Sequence, residues 1–113
     1  MPQLSVVHVN TPAHPNAIRF YCGRSTSYRL NYGIDCSVLG NPFALKSEVD
    51  RAQVCNAFKK HLERKLRAGD PAIRRALHLI YKTAKTKAVE LSCFCAPKQC
   101  HADTIRKLLE TKL

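Results

Sequence analysis

The spacing of hydrophobic and polar positions changes period several times along the chain. "LSVVH" at 4 to 8 and "AIRFYC" at 17 to 22 are rich in β-branched and aromatic residues and predict two short strands. The two prolines of the intervening "NTPAHPN" predict a turn. From 23 to 43 no period survives: three glycines, Asn41-Pro42 and many hydroxyl side chains predict an irregular loop of about 20 residues, a length uncommon without a function. Helical spacing follows. Ser47 with Asp50 three residues on resembles an N-cap with an acid in the first turn, and Val49, Val54, Ala57, Phe58, Leu62 and Leu66 make an apolar stripe that Gly69 ends. Asp70-Pro71 predicts the start of a second helix, with Ile73, Ala76, Leu77, Ile80 and Tyr81 facing inward.

Residues 88 to 95 alternate as a strand, with Val89, Leu91, Cys93 and Cys95 on one face and Glu90, Ser92 and Phe94 on the other. "CHADTIRKLLETKL" then predicts a closing helix with Ile105, Leu108 and Leu109 inward. This order predicts a single α/β domain over 1 to 113. Its small, mostly parallel sheet of about three to four strands is covered by helices in Rossmann- or flavodoxin-like layering. It also places "CFCAPKQCH" between a strand's C-terminal end and a helix start, where open α/β sheets bind ligands.

Size changes the picture little, since 113 residues bury a core without disulfide staples. No apolar run approaches the roughly 18 residues of a membrane span, and the N-terminus lacks the pattern of a signal peptide, so an intracellular, cytoplasmic protein is expected. In a reducing compartment the six cysteines are free for metal binding, catalysis or burial. Charge changes the picture more. Nineteen Lys and Arg against eight acids give +11, concentrated between Lys59 and Lys87, so an anionic partner is expected: a nucleotide, another small anion, or nucleic acid.

Three chemistries compete for the cysteine cluster. Zinc could take Cys93, Cys95, Cys100 and His101, although the C-x-C spacing departs from the usual knuckle. Cys100 at a helix start could instead be a reactive thiolate supported by the dipole and by His101, Lys98 or Arg24. Burial as small apolar residues is the third, and it suits Cys93 best. Outside the cluster, Arg24 follows a strand directly and could fork onto phosphate. Gly40-Asn41-Pro42 is a tight turn that could aim an amide at a ligand, and Arg51 sits at a helix start, an unfavourable place for a cation without a partner anion. Tyr28 and Tyr32 could stack on a base or fill gaps.

Taken together, "YCGRS" at 21 to 25, "SVLGNPF" at 37 to 43, Arg51 and "LSCFCAPKQCHADTI" at 91 to 105 resemble the family catalogued as domain of unknown function 4326, common in phage and bacterial genomes. The resemblance spans roughly residues 5 to 110. It carries over to Gly23, Arg24, Gly40, Asn41, Pro42, Phe43, Arg51, Cys93, Cys95, Pro97, Cys100 and His101, with Ala102 where a glycine is common. It implies a shared fold and pocket, and for a phage-encoded member the host cytoplasm, without naming a reaction. The expected site therefore binds an anion, a nucleotide or nucleoside phosphate first, through Gly23, Arg24, Gly40, Asn41 and Arg51. Cys95, Cys100 and His101 are its expected reactive groups, and no metal or other cofactor is assigned to it. The alternative is a basic nucleic-acid-binding module with a Cys/His zinc site.

Overall fold

A computed structural model describes residues 4–24, 32–43, 47–95 and 98–112; Tyr28 and Pro97 lie outside them. Four parallel strands form one sheet in the order β1-β4-β2-β3. β1 is Leu4–His8, β2 Ala17–Tyr21, β3 Ile34–Asp35 and β4 Ala88–Cys93. β4 lies between β1 and β2, with Val89 opposite both Leu4 and Ile18, and Leu91 opposite both Val6 and Phe20. Every β4 residue from Val89 to Cys93 is buried, as a parallel strand covered on both faces must be. The fold is the small α/β domain that the pattern predicts.

β3 falls in the segment expected to be irregular. It is two residues long, both exposed, and hangs on the edge of β2 through Phe20↔Ile34 and Tyr21↔Asp35. Two residues carry no alternation, so pairing with β2 makes this strand, not local preference.

The three helices are α1 (Arg51–Ala68), α2 (Pro71–Ala84) and α3 (His101–Glu110). Their buried residues Phe58, Leu62, Ile80 and Ile105 join Phe20, Val89 and Leu91 in one core, so all three pack on the same face of the sheet. α2 starts as its sequence predicts, with Asp70 Oδ1 accepting the Ile73 N–H at 3.1 Å and proline at the first position. α1 ends at Gly69. One expected core residue is misplaced: Val49 is 89% exposed. It lies in a 3₁₀ turn, Glu48–Asp50, that Ser47 caps before α1 begins, and three residues per turn take it out of phase with the stripe.

Among the described residues no helix lies over the opposite face. Tyr32 covers part of it, its ring 5.2 Å from Tyr21 and its carbonyl accepting Ser92 Oγ at 2.6 Å. The rest is closed by a buried ion pair between direct cross-strand partners. Arg19 Nε donates to Glu90 Oε1 at 3.0 Å, Nη2 is at ion-pair distance from the same oxygen without hydrogen-bond geometry, and Nη1 donates to the Thr11 carbonyl at 2.7 Å. With side chains 5% and 12% exposed, removing one partner strands the other charge. We expect Glu90→Ala to lower unfolding free energy by about 3–5 kcal/mol in urea titration, and the Arg19→Met/Glu90→Leu pair to recover most of that loss. Equal stability of Glu90→Ala and wild type would show that the pair contributes nothing.

Candidate functional site

Parallel pairing of β2 with β4 sets their C-terminal ends side by side, and the starts of α1 and α3 close around them. There a cavity of about 270 Å³ is lined by Gly23, Arg24, Asn41, Arg51, Cys95, Cys100 and His101, seven of the eight site residues expected from sequence. The eighth, Gly40, stands behind the wall, its backbone against that of Gly23. Phe43, Val54, Cys55, Cys93, Phe94 and Gln99 complete the lining. Alternation assigned Phe94 to the face opposite Cys93 and Cys95. Although the strand ends at Cys93, Phe94 does lie there, with its ring edge-on to Tyr32 at 5.3 Å and to Tyr21 at 6.3 Å, while Cys95 packs against the core that holds Cys93.

The two glycine-bearing motifs form one structural unit. A Cβ on Gly23 would collide with the hydroxyl end of the Tyr21 ring, and one on Gly40 would lie 2.9 Å from the Gly23 carbonyl oxygen, so Gly23 makes room for the Tyr21 ring and Gly40 lets the turn approach the backbone of residue 23. Arg24 then clamps the turn: Nε donates to Asn41 O at 2.9 Å and Nη2 to Phe43 O at 3.0 Å. Its own carbonyl is held by Tyr21 Oη at 2.6 Å. Asn41 lines the cavity, and its Oδ1 closes the turn by accepting the Phe43 N–H at 2.9 Å. Among the described residues no acid pairs with Arg24 and nothing engages its Nη1.

Arg51 is differently placed. Its Nε and Nη2 fork onto Glu48 at 2.9 and 2.8 Å, and Nη1 donates to Gln99 O at 2.9 Å. This explains a cation at a helix start, since its counter-charge is a neighbouring carboxylate that the fork holds down to about 2. Glu48 also receives Lys98 Nζ at 3.5 Å. The start of α3 is likewise occupied by an acid, because Asp103 Oδ2 accepts the Cys100 N–H at 3.0 Å.

His101 is 7% exposed and ties α3 to β2: its Nε2 lies 2.6 Å from the Cys22 carbonyl, which can only accept, so Nε2 carries the proton. The lone pair on Nδ1 therefore faces Cys100 Sγ at 3.4 Å. Burial lowers the imidazole's pKa, and the Phe58 ring 5.0 Å away supplies part of that burial.

Cys95 and Cys100 were both expected as reactive thiols, and their surroundings act on them in opposite directions. Cys100 donates its S–H to Cys93, with the sulfurs 3.0 Å apart, and this contact, the neighbouring Cys95 and burial push its thiol up. Cys95 is pulled down to about 5, first by neighbouring Cys100 and then by Arg51, against the opposing effect of burial. Cys93 faces inward at 1% exposure, as expected. Among the described residues no group of three or more His, Cys, Asp or Glu side chains has the arrangement of a metal site.

His101 titrates below its unfolded value near 6.5, so its contribution to stability is full above that pH and is lost as pH falls toward the folded pKa. His61, lowered by burial and by Lys65 and Arg64, acts with the same sign. We expect urea-unfolding stability to drop between pH 7.5 and 5.5, because His101, His61 and the lowered Cys95 thiol all act in that direction. His101→Gln keeps a donor for Cys22 O and should make that drop smaller by up to about 1 kcal/mol, leaving the parts due to His61 and Cys95. An unchanged slope in the variant would place the titration elsewhere.

No helix is long and apolar enough to cross a membrane, among the described residues. No curated protein and no solved structure matches the chain. Residues 8–111 match the family described as Domain of unknown function (DUF4326), and the chain belongs to that family.

Proposed function

We propose that the cavity binds a small phosphate-bearing ligand, a mononucleotide or nucleoside phosphate, with its phosphate on Arg24. The observation that carries this is the anchoring of Arg24 on two carbonyl oxygens and on no carboxylate: the side chain is positioned while its charge stays unneutralised at the cavity wall. Arg51 and Lys98, already shared with Glu48, contribute less. Phe43 and Phe94, both partly exposed in the same wall, offer apolar surfaces to a base. At about 270 Å³ the cavity sits at the lower edge of small-molecule sites, which favours a mononucleotide over anything larger. Cys95 is the nucleophile the site presents to such a ligand, with Cys100 and His101 behind it. The setting proposed is a reducing cytoplasm, that of the host for a phage-encoded member, where the six thiols stay free.

Calorimetric titration with mononucleotides, nucleosides and inorganic phosphate should give saturable binding that requires the phosphate. Arg24→Ala should weaken it by roughly 10- to 100-fold, the value of a hydrogen bond to a charged group. Binding indifferent to Arg24→Ala, or no binding across the panel, would overturn the proposal.

A second surface supports the nucleic-acid alternative. Lys59, Lys60, Arg64 and Arg67 on α1, Arg74, Arg75 and Lys82 on α2, and Lys85 just after α2 are all exposed. At 1.5 Å per residue, those on α1 lie about 12 to 24 Å along the axis from Arg51, beyond the cavity's share of that helix. Binding there would run along phosphate backbones, so affinity for duplex DNA should fall steeply with salt, with a log–log slope of about −0.9 per phosphate neutralised. Weak, salt-insensitive binding would count against it.

A further inference from the structure

Two thiols at the cavity wall are held in contact by regular structure on both sides. Cys93 is the last residue of β4, registered opposite His8, and its carbonyl accepts the Val9 N–H at 2.9 Å. Cys100 caps α3: its N–H donates to Asp103 Oδ2 at 3.0 Å, and its carbonyl accepts the Asp103 N–H at 3.0 Å. The helix start is tied to β2 as well, through His101 Nε2 and the Cys22 carbonyl at 2.6 Å. With both backbones fixed in this way, the Cys100 S–H donates to the Cys93 sulfur at 3.0 Å. Each residue is only 1% exposed, yet both line the cavity of about 270 Å³, and a small molecule reaches them through it.

We propose that Cys93 and Cys100 form a reversible disulfide, a redox modification site at the cavity wall that a hydroperoxide closes and a small dithiol reopens. A disulfide needs its sulfurs about 2 Å apart, so closure from the hydrogen-bonded pair is a local movement of roughly 1 Å. Cys93 is the acceptor of the pair, and its sulfur attacks first. It adds to the outer oxygen of the hydroperoxide, the O–O bond breaks, and the Cys93 proton leaves on the departing alkoxide or hydroxide. Cys93 is then a sulfenic acid. The Cys100 sulfur, already in contact, attacks the Cys93 sulfur; the S–O bond breaks, and hydroxide departs with the Cys100 proton as water. His101 Nδ1 lies 3.4 Å from the Cys100 sulfur with its lone pair open, because Nε2 carries the ring proton, and it relays that proton. The pair loses two electrons and two protons, and the hydroperoxide becomes an alcohol, or water, together with one water. A dithiol returns both electrons by thiol–disulfide exchange. Closure removes the Cys100 S–H donor and bonds the start of α3 covalently to the end of β4, in the wall that His101 shares. None of this depends on the ligand proposed for the cavity.

Tryptic cleavage after Lys87, Lys98 and Arg106 puts Cys93 and Cys95 on one peptide and Cys100 on the next. The full chain, treated with stoichiometric hydrogen peroxide, alkylated in denaturant and digested, should give these two peptides cross-linked within one chain. Fragmentation should show the alkyl group on Cys95 and the link on Cys93, and dithiothreitol added in denaturant before alkylation should abolish the link. The Cys95→Ser chain should form the same link. A link on Cys95, an intermolecular link, a chain left with all six thiols alkylated, or loss of the link in a folded Cys95→Ser chain would each overturn the proposal. The peptide map of the unsubstituted chain decides by itself, so a variant that fails to fold leaves the test intact.

Discussion

Burial of β4 on both faces and both edges is the constraint on which the rest of the molecule depends. Val89 to Cys93 are all buried, so their backbone groups are satisfied by a strand on each side. Because β2 supplies one side in parallel, the residues that follow β2 and β4 leave the sheet at the same end. Cys22 N–H extends the ladder to Ser92 O at 3.0 Å, and Val9 N–H does the same to Cys93 O at 2.9 Å. Arg24 and Cys95 are brought together by strand pairing, with no direct bond between them.

The two faces of the sheet are stabilised by different physics. On the helical face the interactions are apolar burial around Phe20, Leu91, Phe58 and Ile105. On the other face the interactions are the buried Arg19–Glu90 pair and the Tyr21–Tyr32 contact. Tyr21 belongs to this second face and also shapes the site, since its ring excludes a side chain at position 23 and its hydroxyl holds Arg24 O. The face without helices therefore positions the cavity's arginine.

Within the cavity, opposite protonation preferences sit side by side. Cys100 donates its S–H to Cys93 and is held as a thiol, while the neighbourhood of Cys95 lowers its pKa toward the thiolate. His101 is neutral because it is buried and directional because Cys22 O selects its tautomer. Such a separation of roles between neighbouring identical groups comes from hydrogen-bond direction and exposure, since their intrinsic chemistry is the same.

By itself the sequence determined every element whose signal is local. These include the alternation of 88 to 93, the Asp70-Pro71 start of α2, the stripe through Phe58 and Leu62, and the family to which the chain belongs. It also marked the residues of the cavity, because glycines, arginines and a Cys-His pair at element ends are distinguishable from core positions without any contact map. Tertiary structure alone decided what depends on partners distant in the chain. It made a strand of Ile34–Asp35, turned Val49 outward, and paired Arg19 with Glu90 across 71 residues. It also gave Arg51 to Glu48 and set Cys95 rather than Cys100 as the sulfur favoured as thiolate. The reason is the same in each case. Periodicity and capping act within a few residues, whereas a pKa, an edge pairing or a buried charge is set by whatever the fold brings within about 4 Å.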